Sequence, residues 1–363
     1  MQDKELKELI KKYSATNRSG NSLKPNIAAG EMIHDLCKQD LENLMLARRV
    51  AKAKASNRNW EKYLQISQKN PAVISYQING RGLKKKLKIF KVSAGLGKFG
   101  KEHRLSEEGL VGCVELYDFR LENEVYSGDA LFTVGKHCIQ RIIERNSIDT
   151  RSYNFSALRS EIFNELTYLA LVASVLKNLI VILPIFISDI NLDRQKIVEI
   201  FLGISIPVPT PNGVLLCDLE GVGSSGKVFL AARTFINRET LGAAQKKFLN
   251  KLQRYLSGFE ESFLLYFFED FSVAPEAPSA HIQFDIMQIY IQGFLGLLST
   301  EDFNLAVGLR DEQAVRLKSL NRLLARHAIT KSETIIKAFQ ELDDRKDVEE
   351  VINVFVRARK GKL

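Results

Sequence analysis

Cysteine, histidine and tryptophan are scarce in this 363-residue sequence, which contains four, five and one of them respectively. The cysteines are isolated from one another, with no Cys-x-x-Cys pair and no histidine cluster at metal-ligand spacing: Cys37, Cys113, Cys138 and Cys217. This pattern argues against a disulfide scaffold and against a structural zinc site. We therefore expect neither a bound metal nor a cofactor.

Long uninterrupted apolar runs are also lacking. The densest run, Leu166–Ile190, is interrupted by Lys177 and Asn178 and then by Pro184. Neither half reaches the roughly 20 apolar residues that a membrane-spanning helix needs. The charged start of the sequence does not resemble a secretory signal. We expect a protein of the reducing cytoplasm with no membrane association.

Acidic residues are too few to balance the basic ones, since 43 of them stand against 52 and leave a net charge of +9. The surplus is +6 in residues 1–70 and +3 in 71–150, whereas 151–240 and 241–363 are each neutral. A local excess of one sign favours a partner of the opposite sign. We therefore expect any polyanion to be bound by the first 150 residues.

Changes of composition divide the chain into three parts. Residues 1–70 predict a basic helical region, and 71–240 alternate short β-like runs with helices. Residues 241–363 predict helices, with a proline-containing linker at 273–280. The predicted fold is α+β, with a mixed, largely antiparallel central sheet flanked by N-terminal and C-terminal helical regions.

The predicted elements of the core follow from side-chain periodicity. Runs rich in β-branched residues predict strands at Ala72–Ile78, Leu87–Val92, Val111–Phe119, Leu179–Ile187 and Val228–Phe235. Helical spacing predicts helices at about Val134–Arg145 and Phe155–Lys177. Turn residues predict hairpins at 79–82 and 209–213.

The segment Gly95–Gly100 matches G-x-G-x-x-G after a predicted strand, with Asp118 near the position of a ribose-binding acid. Lys86 and Lys88, however, alternate with apolar residues, which is typical of an antiparallel strand rather than of a buried parallel one. We interpret the motif as a flexible basic loop.

The segment Gly221–Lys227 matches G-x-x-x-x-G-K. A phosphate-binding loop needs a Ser or Thr next and then a helix, whereas Val228 follows here and opens a predicted strand. A hairpin loop is the favoured interpretation, and an ATP-dependent enzyme ranks below the other hypotheses.

One predicted helix carries a polar face with the means for acid–base chemistry. Residues spaced i, i+3, i+4, i+7 and i+8 share that face: His137, Gln140, Arg141, Glu144 and Arg145. An imidazole moves a proton near neutral pH, and a guanidinium binds phosphate and stabilises developing charge. These are the groups that metal-independent cleavage of RNA requires. The alternative is an ordinary solvated helix face.

The stretch Lys136–Arg145 resembles the H-x-x-x-R-x-x-x-R helix of the barnase, EndoU, colicin and RelE ribonuclease superfamily. The resemblance implies a metal-independent endoribonuclease of toxin or defence type. It implies that His137 is the acid/base, that Arg141 and Arg145 are phosphate ligands, and that Thr234 is a positioning hydroxyl on a late strand. RNA is then a more suitable partner than DNA.

The second hypothesis is a non-catalytic nucleic-acid-binding or assembly protein. Its backbone contacts would come from a basic set in the first half of the chain: Lys84, Lys85, Lys86, Lys88, Lys98, Lys101 and His103. Two predicted C-terminal helices, Leu317–Ala328 and Glu333–Leu342, suit a protein partner or a homo-oligomer better than phosphate, because the second carries or precedes four acidic residues: Glu333, Glu341, Asp343 and Asp344. The remaining histidines, including His34, have no partner at ligand spacing.

Overall fold

In the computed structural model, seven strands of the described part of the chain form one sheet. Described are residues 7–8, 10–11, 23–52, 65, 72–79, 86–95, 108–118, 125–151, 155–186, 194–222, 227–257 and 291–327. In chain order the strands are β1 (Val73–Asn79), β2 (Lys86–Gly95), β3 (Gly109–Asp118), β4 (Val125–Gly135), β5 (Ser205–Pro209), β6 (Gly213–Val222) and β7 (Lys227–Asn237).

The sheet consists of two antiparallel meanders joined by one parallel pair, in the order β1-β2-β3-β4-β7-β6-β5. Within each meander the neighbouring strands are antiparallel. At the junction β4 and β7 are parallel, with Phe132 opposite Leu230 and Val134 opposite Ala232. The prediction of an α+β fold with a mixed, largely antiparallel sheet is confirmed.

Helices precede the sheet, connect its two halves and follow it. They are α1 (Pro25–Lys52), α2 (Lys136–Arg145), α3 (Phe155–Glu165), α4 (Thr167–Phe186), α5 (Arg194–Phe201), α6 (Ala243–Ser257), α7 (Glu301–Val307) and α8 (Asp311–His327). Residues 291–298 are also helical. Helix α1 packs against β2 and α2, while α2 packs against β7. Their buried side chains share one continuous apolar core.

Helix α2 begins two residues later than the sequence pattern predicts. Val134 and Gly135 belong to β4, where they pair with Leu110 and Gly109 of β3. The main-chain N–H of Lys136 then donates to the Glu108 carbonyl at 2.8 Å. One side of the helix is buried, as its spacing predicts: Cys138, Ile139, Ile142 and Ile143. The helix therefore follows β4 without a linker and leaves its polar side toward solvent.

The largest difference between the predicted and the observed elements lies in helix α4. The predicted strand Leu179–Ile187 is wrong, because α4 continues without interruption from Thr167 to Phe186. The amide of Asn178 does not break the helix, since its Nδ2 donates to the Ser174 carbonyl at 2.8 Å. The predicted helix Phe155–Lys177 is instead two helices that meet at Leu166. Among the described residues, no helix is long and apolar enough to cross a membrane.

Both glycine motifs adjoin antiparallel strands in the sequence, but residues 96–100, which include most of the predicted basic loop, and residues 223–226 lie outside the described part of the chain. Strand β2, which precedes the first motif, pairs antiparallel with β1 and with β3, unlike the parallel strand of a dinucleotide-binding unit. The second motif connects β6 to β7, and Val222 pairs with Lys227 across that connection. Lys227 opens a strand rather than a helix, so the hairpin interpretation is confirmed.

Polar contacts fasten α1 to its neighbours and fix the side chains that α1 presents. The main-chain N–H of Ala94 on β2 donates to Asp40 Oδ2 at 3.1 Å. The buried guanidinium of Arg159 on α3 lies 3.2 Å from Asp35 Oδ2 and donates to Gln39 Oε1 at 2.7 Å. A buried ion pair of this kind restricts the register of the two helices.

Candidate functional site

The polar face of α2 is accessible, as its spacing predicts. His137 and Arg145 are exposed, and the side chain of Arg141 is 40% exposed. The residues on the opposite side of the helix are buried in the core: Cys138, Ile139, Ile142 and Ile143. The structure therefore presents an imidazole and two guanidinium groups on one accessible helix face.

Glu144 partly neutralises that face. Its Oε1 accepts a hydrogen bond from Gln140 Nε2 at 2.6 Å, and its Oε2 accepts one from Arg141 Nη1 at 2.8 Å. The bond from Gln140, together with the bond and charge of Arg141, holds the pKa of Glu144 below its usual value. Glu144 is thus ionised at neutral pH, and it occupies one edge of the Arg141 guanidinium.

Arg145 has a structural contact as well as an exposed surface. Its Nη1 donates to the main-chain carbonyl of Phe235 on β7. In return, Asn237 Nδ2 donates to the Arg145 carbonyl at 3.2 Å. These bonds hold the end of α2 on β7, and the other guanidinium N–H groups remain as donors for a ligand.

Thr234 does not share this face. Phe235 pairs with Leu215, and both side chains lie in the core beneath α2. Thr234 pairs with Leu216, which packs on the cluster of Val214 instead. Successive strand residues point to opposite sides of a sheet, so Thr234 lies on the side away from α2. The structure therefore does not bring together the hydroxyl and the imidazole that the family resemblance implies.

A second imidazole lies near the start of α2. His34 Nε2 on α1 is 3.2 Å from Glu108 Oε1, and Lys136 Nζ is 3.8 Å from Glu108 Oε2. The side chains of His34, Lys136 and Glu108 are 34%, 37% and 40% exposed. The carboxylate thus joins an imidazole and an ammonium, both within reach of solvent. The next residue after Lys136 is His137.

Gly30 on α1 leaves room for the Lys136 side chain to reach Glu108. A Cβ atom added to Gly30 would lie 2.8 Å from Lys136 Nζ and 3.1 Å from Lys136 Cε. A side chain at this position would therefore push the lysine out of its place beside Glu108. Gly30 is one helical turn before His34, which places both on the same side of α1.

Sequence reasoning missed the group formed by His34, Glu108 and Lys136. Sequence spacing gives His34 no neighbour of this kind, because Glu108 lies 74 residues later in the chain and meets it only through the fold. The spacing within α2 identifies His137 and the two arginines. It carries no information about which residue of α1 lies beside the start of α2.

The predicted nucleic-acid contacts fall largely outside the described residues. Lys86 and Lys88 lie on β2, where their main chains pair with Asn79 and Gln77 of β1. The other predicted residues are not among those that the structure describes: Lys84, Lys85, Lys98, Lys101 and His103. The same holds for the 273–280 linker and the predicted helix Glu333–Leu342, whereas α8 confirms most of the helix predicted at Leu317–Ala328.

The four cysteine side chains are free thiols, and all are buried. Burial, with a smaller effect of Asp40, raises the pKa of Cys37 to about 11. Burial likewise raises the pKa of Cys217 well above its usual value. Thiols in this state are poor nucleophiles and poor metal ligands at neutral pH. Within the described part of the chain, no three His, Cys, Asp or Glu residues form a metal-binding group.

Comparison with known proteins finds no matching family model, no matching curated protein and no matching solved structure. The function is therefore inferred from the chemistry of the side chains around α2.

Proposed function

We propose that the protein is a metal-independent endoribonuclease of toxin or defence type, whose active face is the polar side and the start of α2. The observation that carries the proposal is the His34–Glu108 pair beside Lys136, one residue before the exposed His137. Together with Arg141 and Arg145 it supplies two imidazoles and three cations around one helix.

Transesterification of RNA needs two proton transfers. A base takes the proton of the 2′-hydroxyl as that oxygen attacks the neighbouring phosphorus, and an acid gives a proton to the departing 5′-oxygen. His34 and His137 are suited to these two steps because imidazole works in both directions near neutral pH. Glu108 Oε1, 3.2 Å from His34 Nε2, orients the His34 ring, as a carboxylate does for a catalytic histidine.

Charge develops on the phosphoryl oxygens during the same step. Arg141 and Arg145 present several N–H donors to a phosphate, and Lys136 adds a compact charge at the helix start. No Thr234 hydroxyl enters this scheme. RNA is the proposed partner because the reaction uses the 2′-hydroxyl, and the basic surplus of residues 1–150 would assist its binding. Four free thiols fit action in the reducing cytoplasm.

The second candidate is a non-catalytic nucleic-acid-binding or assembly protein. The hydrogen bond from Arg141 to Glu144 favours this candidate, because an arginine that binds a carboxylate of its own helix has a structural role that requires no catalysis. In this case the basic N-terminal half would bind the backbone, and the C-terminal helices would bind a protein or a second copy of the chain.

Cleavage of single-stranded RNA in EDTA by purified protein distinguishes these candidates. His137→Ala should lower the cleavage rate by about 100-fold or more, because it removes a general acid/base. His327→Ala, on α8, is the matched control and should cleave like the natural protein. Circular dichroism and RNA binding at low salt should be unchanged in both variants. Full cleavage by His137→Ala, or binding without any cleavage, would overturn the endoribonuclease proposal.

A further inference from the structure

A cavity of about 440 Å³ lies on a different part of the molecule from the His34–Glu108 pair. Its walls come from the segment after α2, from the junction of α3 and α4, and from the turn between β5 and β6. Its volume falls in the range of roughly 300–1,000 Å³ that is typical of small-molecule sites.

One polar group of this cavity is the carboxylate of Glu165, which is only 2% exposed. Its Oε1 accepts hydrogen bonds from Asn212 Nδ2 at 2.6 Å and from Asn146 Nδ2 at 3.2 Å. Its Oε2 is buried and has no hydrogen-bond partner among the described residues. A buried carboxylate oxygen without a donor is costly, so a cation that pairs with the Glu165 carboxylate would stabilise it.

The charge of the cavity has one sign. Glu161 also lines it and is exposed, one helical turn before Glu165 on α3. Two like charges at this spacing repel each other. The two asparagines that bind Glu165 are neutral, and no cationic side chain is among the described residues of the lining. A positively charged ligand would therefore relieve both the repulsion and the missing donor.

The remaining lining sets the shape of such a ligand. Ile148, Tyr168 and Pro211 contribute apolar surface beside the two carboxylates. A metal ion is a poor match, because no group of three His, Cys, Asp or Glu residues occurs among the described residues. A short carbon chain with an ammonium or guanidinium group at its end combines the required donor with the apolar contact.

We propose that the cavity between α3, α4 and the β5–β6 turn binds a small organic cation, whose ammonium or guanidinium group pairs with the carboxylate of Glu165. An aliphatic diamine can place its second ammonium near Glu161 at the mouth. This site is independent of the proposed ribonuclease activity, and its test uses binding alone.

Titration calorimetry with 1,4-diaminobutane and with agmatine tests this inference on the full chain. Both cations should bind saturably, and 1,4-butanediol, which has the same carbon chain without charge, should not. Glu165→Gln should weaken binding by about tenfold or more, since a charge-assisted hydrogen bond is lost. Glu199→Gln is the matched control, because Glu199 is an exposed glutamate on α5 outside the lining.

A second variant, Asn164→Arg, keeps the proposal testable if Glu165→Gln does not fold. Asn164 is exposed and lines the cavity, so Asn164→Arg should fold and place its own guanidinium in the site. It should abolish diamine binding and raise the melting temperature. The proposal is overturned if neither cation binds, if the diol binds equally well, or if binding persists unchanged in both Glu165→Gln and Asn164→Arg.

Discussion

His34 Nε2 lies 3.2 Å from Glu108 Oε1, although 74 residues separate the two in the chain. This contact carries an imidazole of the N-terminal helix to the start of α2, where Lys136 and His137 follow the last residue of β4. Since Glu108 also accepts the main-chain N–H of Lys136 through its carbonyl, one residue positions all three groups.

The first prediction concerns this pair. Glu108→Gln keeps the size of the side chain but removes the charge that orients and supports the His34 imidazole. We expect kcat for RNA cleavage to fall by about tenfold or more, with KM nearly unchanged, because the loss is felt in the proton transfer. His34→Gln should lower kcat further. A change in KM alone would show that the pair serves binding rather than proton transfer.

The second prediction uses the contact between α1 and Lys136. Gly30→Ala should stabilise the helix by about 0.5–1 kcal/mol through its propensity, provided the flexible end of Lys136 moves aside. The displaced ammonium would leave Glu108, so we expect a more stable protein that cleaves RNA more slowly. Gly296→Ala is the control, because no heavy atom of the described residues, apart from its chain neighbours and its own helix backbone, lies within 4 Å of its added Cβ.

Urea unfolding and initial cleavage rates, measured on the same preparations, separate the two effects. Equal activity of Gly30→Ala and Gly296→Ala would contradict a role for Lys136 in the reaction. A large loss of stability in Gly30→Ala would instead show that the lysine is unable to move aside.

The third prediction concerns the charge of the α2 face. Glu144→Gln removes the carboxylate that occupies Arg141, so RNA affinity should rise and its dependence on salt should steepen by about one phosphate contact. Glu199→Gln is a close control because Glu199 also accepts from a glutamine one turn earlier, with Gln195 Nε2 at 3.1 Å. Fluorescence anisotropy over a salt series measures both quantities. An unchanged salt dependence would exclude Arg141 as a phosphate ligand.

The fourth prediction concerns Thr234, which lies on the side of the sheet away from α2. Thr234→Val preserves the shape of the side chain and removes its hydroxyl. We expect the cleavage rate to be unchanged, since the residue has no access to the reacting phosphate. A loss as large as that of His137→Ala would show that the hydroxyl takes part after all.

The predicted and observed elements differ where tertiary context decides. Helix α4 contains a β-branched run that is equally compatible with a buried strand, and periodicity cannot separate the two when no polar side exists. The observed start of α2 is later than the predicted one because Val134 and Gly135 complete the pairing of β4 with β3. By contrast, the α2 face was predictable, because its residues are close in sequence and share a helical period.

The candidate site was predictable only where its residues lie close together in the sequence. His137, Arg141 and Arg145 follow from local spacing, whereas His34 and Glu165 acquire their partners through contacts between distant segments. Asn146 and Asn212 both donate to Glu165, from 19 and 47 residues away in the chain. No local pattern encodes such a meeting.

The most direct test of the central claim is the chemistry of the RNA ends after cleavage in EDTA. A short RNA of defined sequence is incubated with the purified protein, beside the same RNA with a single 2′-deoxy nucleotide at the cleaved position. The account predicts products that end in a 2′,3′-cyclic phosphate and no cleavage at the deoxy position. Cleavage of the deoxy substrate, dependence on a divalent metal, or no cleavage at all would contradict it.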